Sequence, residues 1–126
     1  EEWQTACETP RVPSCGYSYA ANCSVYQPDT CNGVDRDNDP LRPGAQHALL
    51  STGALTACYA DWGSALARVY DLSGNVREWT QARANGLLPV RGGTFNNIAG
   101  GLACANDFVV TDATFQFNNV GFRCCR

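Results

Sequence analysis

Apolar and polar positions alternate along this chain only over short distances. Residues 106–112, NDFVVTD, and 119–125, NVGFRCC, are brief apolar runs bounded by Asn, Asp and Gly, and both read as strands. ARVYDL at 67–72 and VREWT at 76–80 show the same pattern and predict two short strands around a turn. LPVRGGTF at 88–95 predicts a strand that ends in a glycine-marked bend. EEWQTAC, at the start, places acids and Trp3 as at the end of a short helix, which Pro10 and Pro13 stop. Residues 10–46 are rich in Pro, Gly, Asn, Asp and Tyr and show no helical period. They predict a long ordered loop region, of the kind that is stapled or functional. No stretch reads as a linker. The pattern predicts one α+β domain, β-rich and loop-heavy, with one or two short helices.

Composition narrows the class. The 126 residues suit a single domain, and 44% hydrophobic against 17% charged residues excludes a disordered tail. All nine basic residues are Arg, and a net charge of −3 leaves no basic stripe for nucleic acid. No apolar run approaches the roughly 20 residues that span a bilayer, so no transmembrane segment is expected. The chain holds no Met, so Glu1 is expected to follow residues of a longer product, by processing, fragmentation or engineering; a signal peptide or lipid anchor upstream is compatible with this.

Eight cysteines change the picture more: Cys7, Cys15, Cys23, Cys31, Cys58, Cys104, Cys124 and Cys125. Their even count and density point to disulfides and an oxidising compartment. Zinc is disfavoured, because no Cys-x-x-Cys pair is present and His47 is the only histidine. Eight cysteines allow 105 pairings. In a strand, the adjacent Cys124 and Cys125 would point to opposite faces and so take separate partners.

EEWQTAC, DLSGNVREWT, VRGGTF, CAND and VGFRCC, in that order, resemble the C-terminal half of the formylglycine-generating enzyme (sulfatase-modifying factor) family. The order GNVxEW, RGG, GFR is specific, while residues 10–66 match only loosely. The resemblance implies an irregular, loop-rich variant of the C-type lectin fold. Residues 1–126 would then be the C-terminal part of one domain, with the N-terminal half outside the chain. It also implies a Cys7–Cys124 bridge. Spacing suggests Cys31–Cys58, which leaves Cys104–Cys125 and Cys15–Cys23, with no free thiol.

The family's oxidases hold copper on two cysteines just after the RGG bend, because thiolates suit Cu(I). Here Asn97 stands at the first position and Leu102 near the second, so no copper is expected. A single histidine, read as an exposed loop residue, does not make the polyhistidine iron site of another branch, so no iron is expected either. No Gly-x-Ser-x-Gly elbow, P-loop or dinucleotide fingerprint appears. The expectation is a non-catalytic protein.

The family loop equivalent to DLSGNVREW binds calcium. The resemblance assigns Asp71 and Glu78 as carboxylate ligands and Gly74 and Val76 as backbone-oxygen donors, a set calcium accepts. Composition alone reads the same loop as an ordinary polar turn. NGVDRDND at 32–39 is no EF-hand, since Pro40 and Gln46 occupy the positions of its Gly and Glu. The family's other calcium site would draw on Asn32, Gly33 and Asp37 or Asp39, and a solvated acidic loop is the competing reading. By the same resemblance, Thr94–Asn119 lies on the ligand face, with Phe95, Asn96, Asn97, Asn106, Asp107 and Phe108 as candidates. The alternation in FQF at 115–117 equally suits core phenylalanines. Three functions stay open. The first is a secreted, periplasmic or cell-surface module, calcium-stabilised, that binds a protein or glycan ligand. The second is a structural subunit completed by another chain. The third is an oxidoreductase with an unrecognised site.

Overall fold

A computed structural model describes residues 2–9, 14–36, 39, 41–42 and 47–124. Helix α1, Glu2–Glu8, turns Trp3, Ala6 and Cys7 inward on one side, as residues three and four apart on a helix do. A Gln4–Glu8 hydrogen bond of 2.7 Å supports the helix one turn apart. Strands β1, Tyr59–Asp61, and β2, Arg68–Tyr70, form an antiparallel pair in which Tyr59 faces Tyr70, with Arg68 over the Tyr59 ring. The other strands are β3, Arg77–Trp79, β4, Leu88–Arg91, β5, Asp107–Val110, and β6, Val120–Gly121. They make a second sheet in the order β5-β4-β3-β6. β3–β4 and β4–β5 are antiparallel, and β6 lies parallel to β3. A one-turn helix α2, Ala99–Leu102, sits between β4 and β5. The protein is therefore α+β and disulfide-stapled, and no described helix is long and apolar enough to cross a membrane.

Register sorts the second sheet into two faces. Paired strand residues point to the same side, and neighbours in sequence to opposite sides. Trp79, Val90 and Phe108 are register partners on one face. Glu78, Arg91 and Asp107 make a charged row on the other, where Arg91 reaches Gln4 of α1. The expected strands at 67–72 and 76–80 both form, but they do not pair with each other. The turn between them carries the chain from the first sheet to the second.

Three bridges hold the core: Cys7–Cys104, Cys15–Cys23 and Cys31–Cys58. The last two are the expected pairs. The expected Cys7–Cys124 and Cys104–Cys125 bridges are replaced. Cys104, just past α2, comes within 5.6 Å of Cys7 between Cα atoms, inside the range a disulfide spans. β6 ends at Gly121, so Cys124 lies beyond the strand, exposed and with a free thiol, and the opposite-face argument does not apply to it. Cys125 lies outside the described residues. Buried Cys15, Tyr19, Cys23, Cys31 and Cys58 form one core cluster, and Cys7, Ala60, Leu72 and Cys104 another. Reciprocal hydrogen bonds between the buried Ser18 and Ser73, at 3.0 and 2.9 Å, tie the long loop region to the DLSGNVREW turn.

Candidate functional site

The DLSGNVREW loop organises the chain around itself. Gly74 has φ +84°, and a Cβ there would stand 2.4 Å from the Asn32 carbonyl oxygen, so only glycine fits. Asn75 has φ +66°, a conformation asparagine tolerates. Its Oδ1 accepts from the Leu50 N–H at 3.0 Å and from Asn32 Nδ2 at 2.9 Å, while its Nδ2 donates to the Leu50 carbonyl at 3.0 Å. Its own N–H donates to the Asn32 carbonyl and its carbonyl accepts from the Phe95 N–H. One buried residue, by its amide side chain and its backbone, thus joins four segments. The turn-forming Gly-Asn pair was visible in the sequence; the segments it would join were not.

The two acids of this loop meet protein donors. Glu78, 4% exposed, accepts from Arg123 Nη2 at 2.6 Å on Oε1 and from Arg123 Nε at 3.1 Å on Oε2. The Trp3 indole N–H adds a third bond to Oε2 at 2.8 Å. Asp71 accepts from the Gly53 N–H at 2.7 Å. Burial raises the Asp71 pKa above the usual carboxylate range; the Gly53 bond and Arg123 oppose that rise, and nearby Glu78 adds to it. Of the set expected for calcium, Asp71, Gly74, Val76 and Glu78, both carboxylates are thus engaged by protein donors. The charge on Glu78 is already met by a guanidinium, and a calcium ion would have to displace it.

The described members of the second expected set also meet protein groups. Asn32 gives its amide N–H groups to Ala48 and Asn75. Asp39 accepts from the Leu41 N–H with its carboxylate and from the Arg42 N–H with its carbonyl. A Cβ on Gly33 would strike Leu102 at 2.6 Å, so this glycine is a packing position. Asp37 lies outside the described residues. Among the described residues no three acidic, His or Cys side chains form a metal-holding group. Asp35, beside Gly33, is notable instead: neither carboxylate oxygen touches water or has a hydrogen-bond partner. Tyr26 faces it without reaching hydrogen-bonding geometry; burial first, and Asp35 second, raise the phenol's pKa above its ordinary value.

The expected ligand-face residues divide between the two sides of the sheet. Phe108 is 43% exposed on the aromatic face. Asp107, its neighbour in β5, points the other way to Arg83 and Arg91. Phe95 is buried, which removes it from the face. Asn97 is a structural hub: its Oδ1 accepts from the Thr94 N–H and Arg77 Nη2 and lies 3.0 Å from the Thr94 hydroxyl oxygen. Asn96 is exposed and accepts from the Thr94 hydroxyl, and Asn106 is half-buried, its N–H bonded to the Ala103 carbonyl.

The aromatic face extends further than these candidates. Trp79 meets Phe115 edge-on at 6.2 Å, Phe115 meets Phe108 at 6.1 Å, and Phe115 meets Phe117 at 4.7 Å. Phe115 is half-buried and Phe117 61% exposed, so FQF is not a pair of core residues. Arg77 lies over the Phe108 ring at 4.8 Å. Arg77 was not among the expected residues: VREWT reads as a strand, but which side of it meets solvent depends on sheet order.

Elsewhere the site chemistry is sparse. His47 is exposed, with Nε2 3.2 Å from the Val34 carbonyl. A cleft of about 160 Å³, lined by residues including Thr9, Tyr19, Asn22 and Asp61, shares no residue with the aromatic face. It is below the roughly 300 Å³ at which small-molecule pockets begin. The chain matches no protein-family model and none of the curated proteins.

Proposed function

We propose that this chain is a non-catalytic binding or assembly module of an oxidising compartment, and that its contact surface is the aromatic face of the four-stranded sheet. One observation carries the reading: the contiguous rings of Trp79, Phe115, Phe108 and Phe117, with Phe108 and Phe117 open to solvent. An exposed apolar cluster of this kind marks an interaction surface more often than a lone exposed ring does. Aromatic side chains also supply contact area at little conformational cost. Three bridges suit a secreted, periplasmic or cell-surface setting. The C-type lectin-like architecture of formylglycine-generating enzymes is the finer fold we propose, on the order of the GNVREW, RGG and GFR motifs. In that frame Asn97 and Leu102 stand where copper thiolates would be needed, and a binding role follows.

The test is a protein and glycan array probed with the oxidised protein and with the double variant Phe108→Ser, Phe117→Ser. The reading expects hits that weaken at least tenfold in the variant at an unchanged melting temperature. Hits that survive both substitutions would move the contact surface elsewhere. Turnover of a cysteine peptide to formylglycine by the purified protein with copper and oxygen would overthrow the non-catalytic reading.

A further inference from the structure

Among the described residues, Arg77 is a cation without a counter-ion. Its guanidinium stacks on Phe108 and gives one N–H to Asn97 at 3.1 Å, while its Nε is shielded from water and has no acceptor. The Asn97 oxygen that it uses also accepts from the Thr94 N–H, so both of its lone pairs are taken and Asn97 offers Arg77 little more. Among the described residues, the carboxylates of this sheet are engaged elsewhere: Asp107 with Arg83 and Arg91, Glu78 with Arg123 and Trp3. Burial lowers the Arg77 pKa, in keeping with a positive charge drawn out of water. A guanidinium remains charged all the same, and its planar fork matches a carboxylate with two parallel hydrogen bonds.

Resting on the aromatic-face reading, we propose that Arg77 anchors an acidic peptide segment of a partner protein: an Asp or Glu carboxylate on the guanidinium, and a neighbouring apolar side chain across Phe108 and Phe117. The single positive charge of Arg77 balances one carboxylate and falls short of a phosphate. The open rings are both phenylalanine, with no hydroxyl or indole N–H to read a sugar, and the Asn97 oxygen beside them is saturated. An anion flanked by apolar surface is the complement of this patch.

A random heptapeptide array, probed with the oxidised protein at low ionic strength, tests this. The selected peptides are expected to hold Asp or Glu beside an aliphatic or aromatic residue. Replacing that acid by its amide should weaken binding at least tenfold, and Arg77→Gln should do the same. Arg77→Lys, which keeps the charge and loses the fork, should fall between; it also serves as the test if Arg77→Gln fails to fold. Peptides without an acidic excess, equal binding by Arg77→Gln, or no selected peptide at all would overturn the proposal. A preference for phosphorylated or sulfated probes over carboxylates would overturn it as well. In each of these cases the aromatic-face reading stands if the array hits are still lost in Phe108→Ser, Phe117→Ser. Insensitivity to that double variant would sink both.

Discussion

At the scale of the residue, Asp71 is a buried acid held in the left-handed region, φ +57°. Both properties favour asparagine there, since its Oδ1 keeps the Gly53 bond without the charge. The raised pKa of Asp71 fixes the sign. Stability from a group whose folded pKa is raised is present below the ordinary carboxylate pKa, about 3.9, and is lost as pH rises through the folded value. Asp71→Asn should therefore equal or exceed the parent protein in melting temperature at pH 7, with the difference vanishing near pH 3. Calcium coordination would give the reverse, a large loss at pH 7. Glu78→Gln should cost about 3 kcal/mol in urea unfolding, because it strands Arg123 beside a buried amide. Calcium to about 10 mM, ten times the weaker end of the range for extracellular sites, should leave the melting temperature of the parent protein unchanged. A rise with calcium that chelator reverses would return Asp71 and Glu78 to the ligand set.

Among elements, the turn at 71–76 is the one on which others depend. Asn75→Ala removes an amide that serves both Leu50 and Asn32, and takes a partner from the Leu50 N–H and carbonyl and from one N–H of the buried Asn32. The loss should be roughly 3 kcal/mol by chemical denaturation. A change below about 1 kcal/mol, the worth of a single ordinary hydrogen bond, would show that the segments hold without it. The sequence made the separate strands legible, because β-branched and aromatic runs between turn residues are a local signal. It did not make legible that β2 and β3 enter different sheets, since alternation says which side is buried and not which strand lies alongside. β1, three residues of YAD, is too short to show a period, and AGGL gives α2 no helical signal with two glycines in four residues. The candidate site was half legible for a related reason. Phe108 stood among the ligand-face candidates, whereas Arg77 did not, because strand alternation alone does not say which side meets solvent; and Arg123 reaches Glu78 only because β6 inserts beside β3.

For the whole molecule, the bridges decide what survives reduction. Cys7–Cys104 closes 97 residues, and replacing both cysteines by serine should cost about 4 kcal/mol. The free thiol of Cys124 should label in the native protein, and Cys124→Ser should lower the label by one per chain. Absence of labelling in the parent protein would mean that Cys124 is bonded. The pairing of Cys7 was not readable from spacing, because it depends on α1 packing against β1, with Trp3 and Gln4 reaching Glu78 and Arg91. The meeting of Trp3 and Arg123 on one carboxylate also has a consequence in time. A chain delivered N-terminus first can close Cys7 onto Cys104 before β6 exists. During that interval β3 has an unpaired edge, and Glu78 holds an indole but no positive charge. Unpaired edges invite association with other chains. A chain stopped after Asn119 should thus form the Cys7–Cys104 bridge and still aggregate, so maturation of the complete molecule depends on shelter that outlasts its first covalent closure.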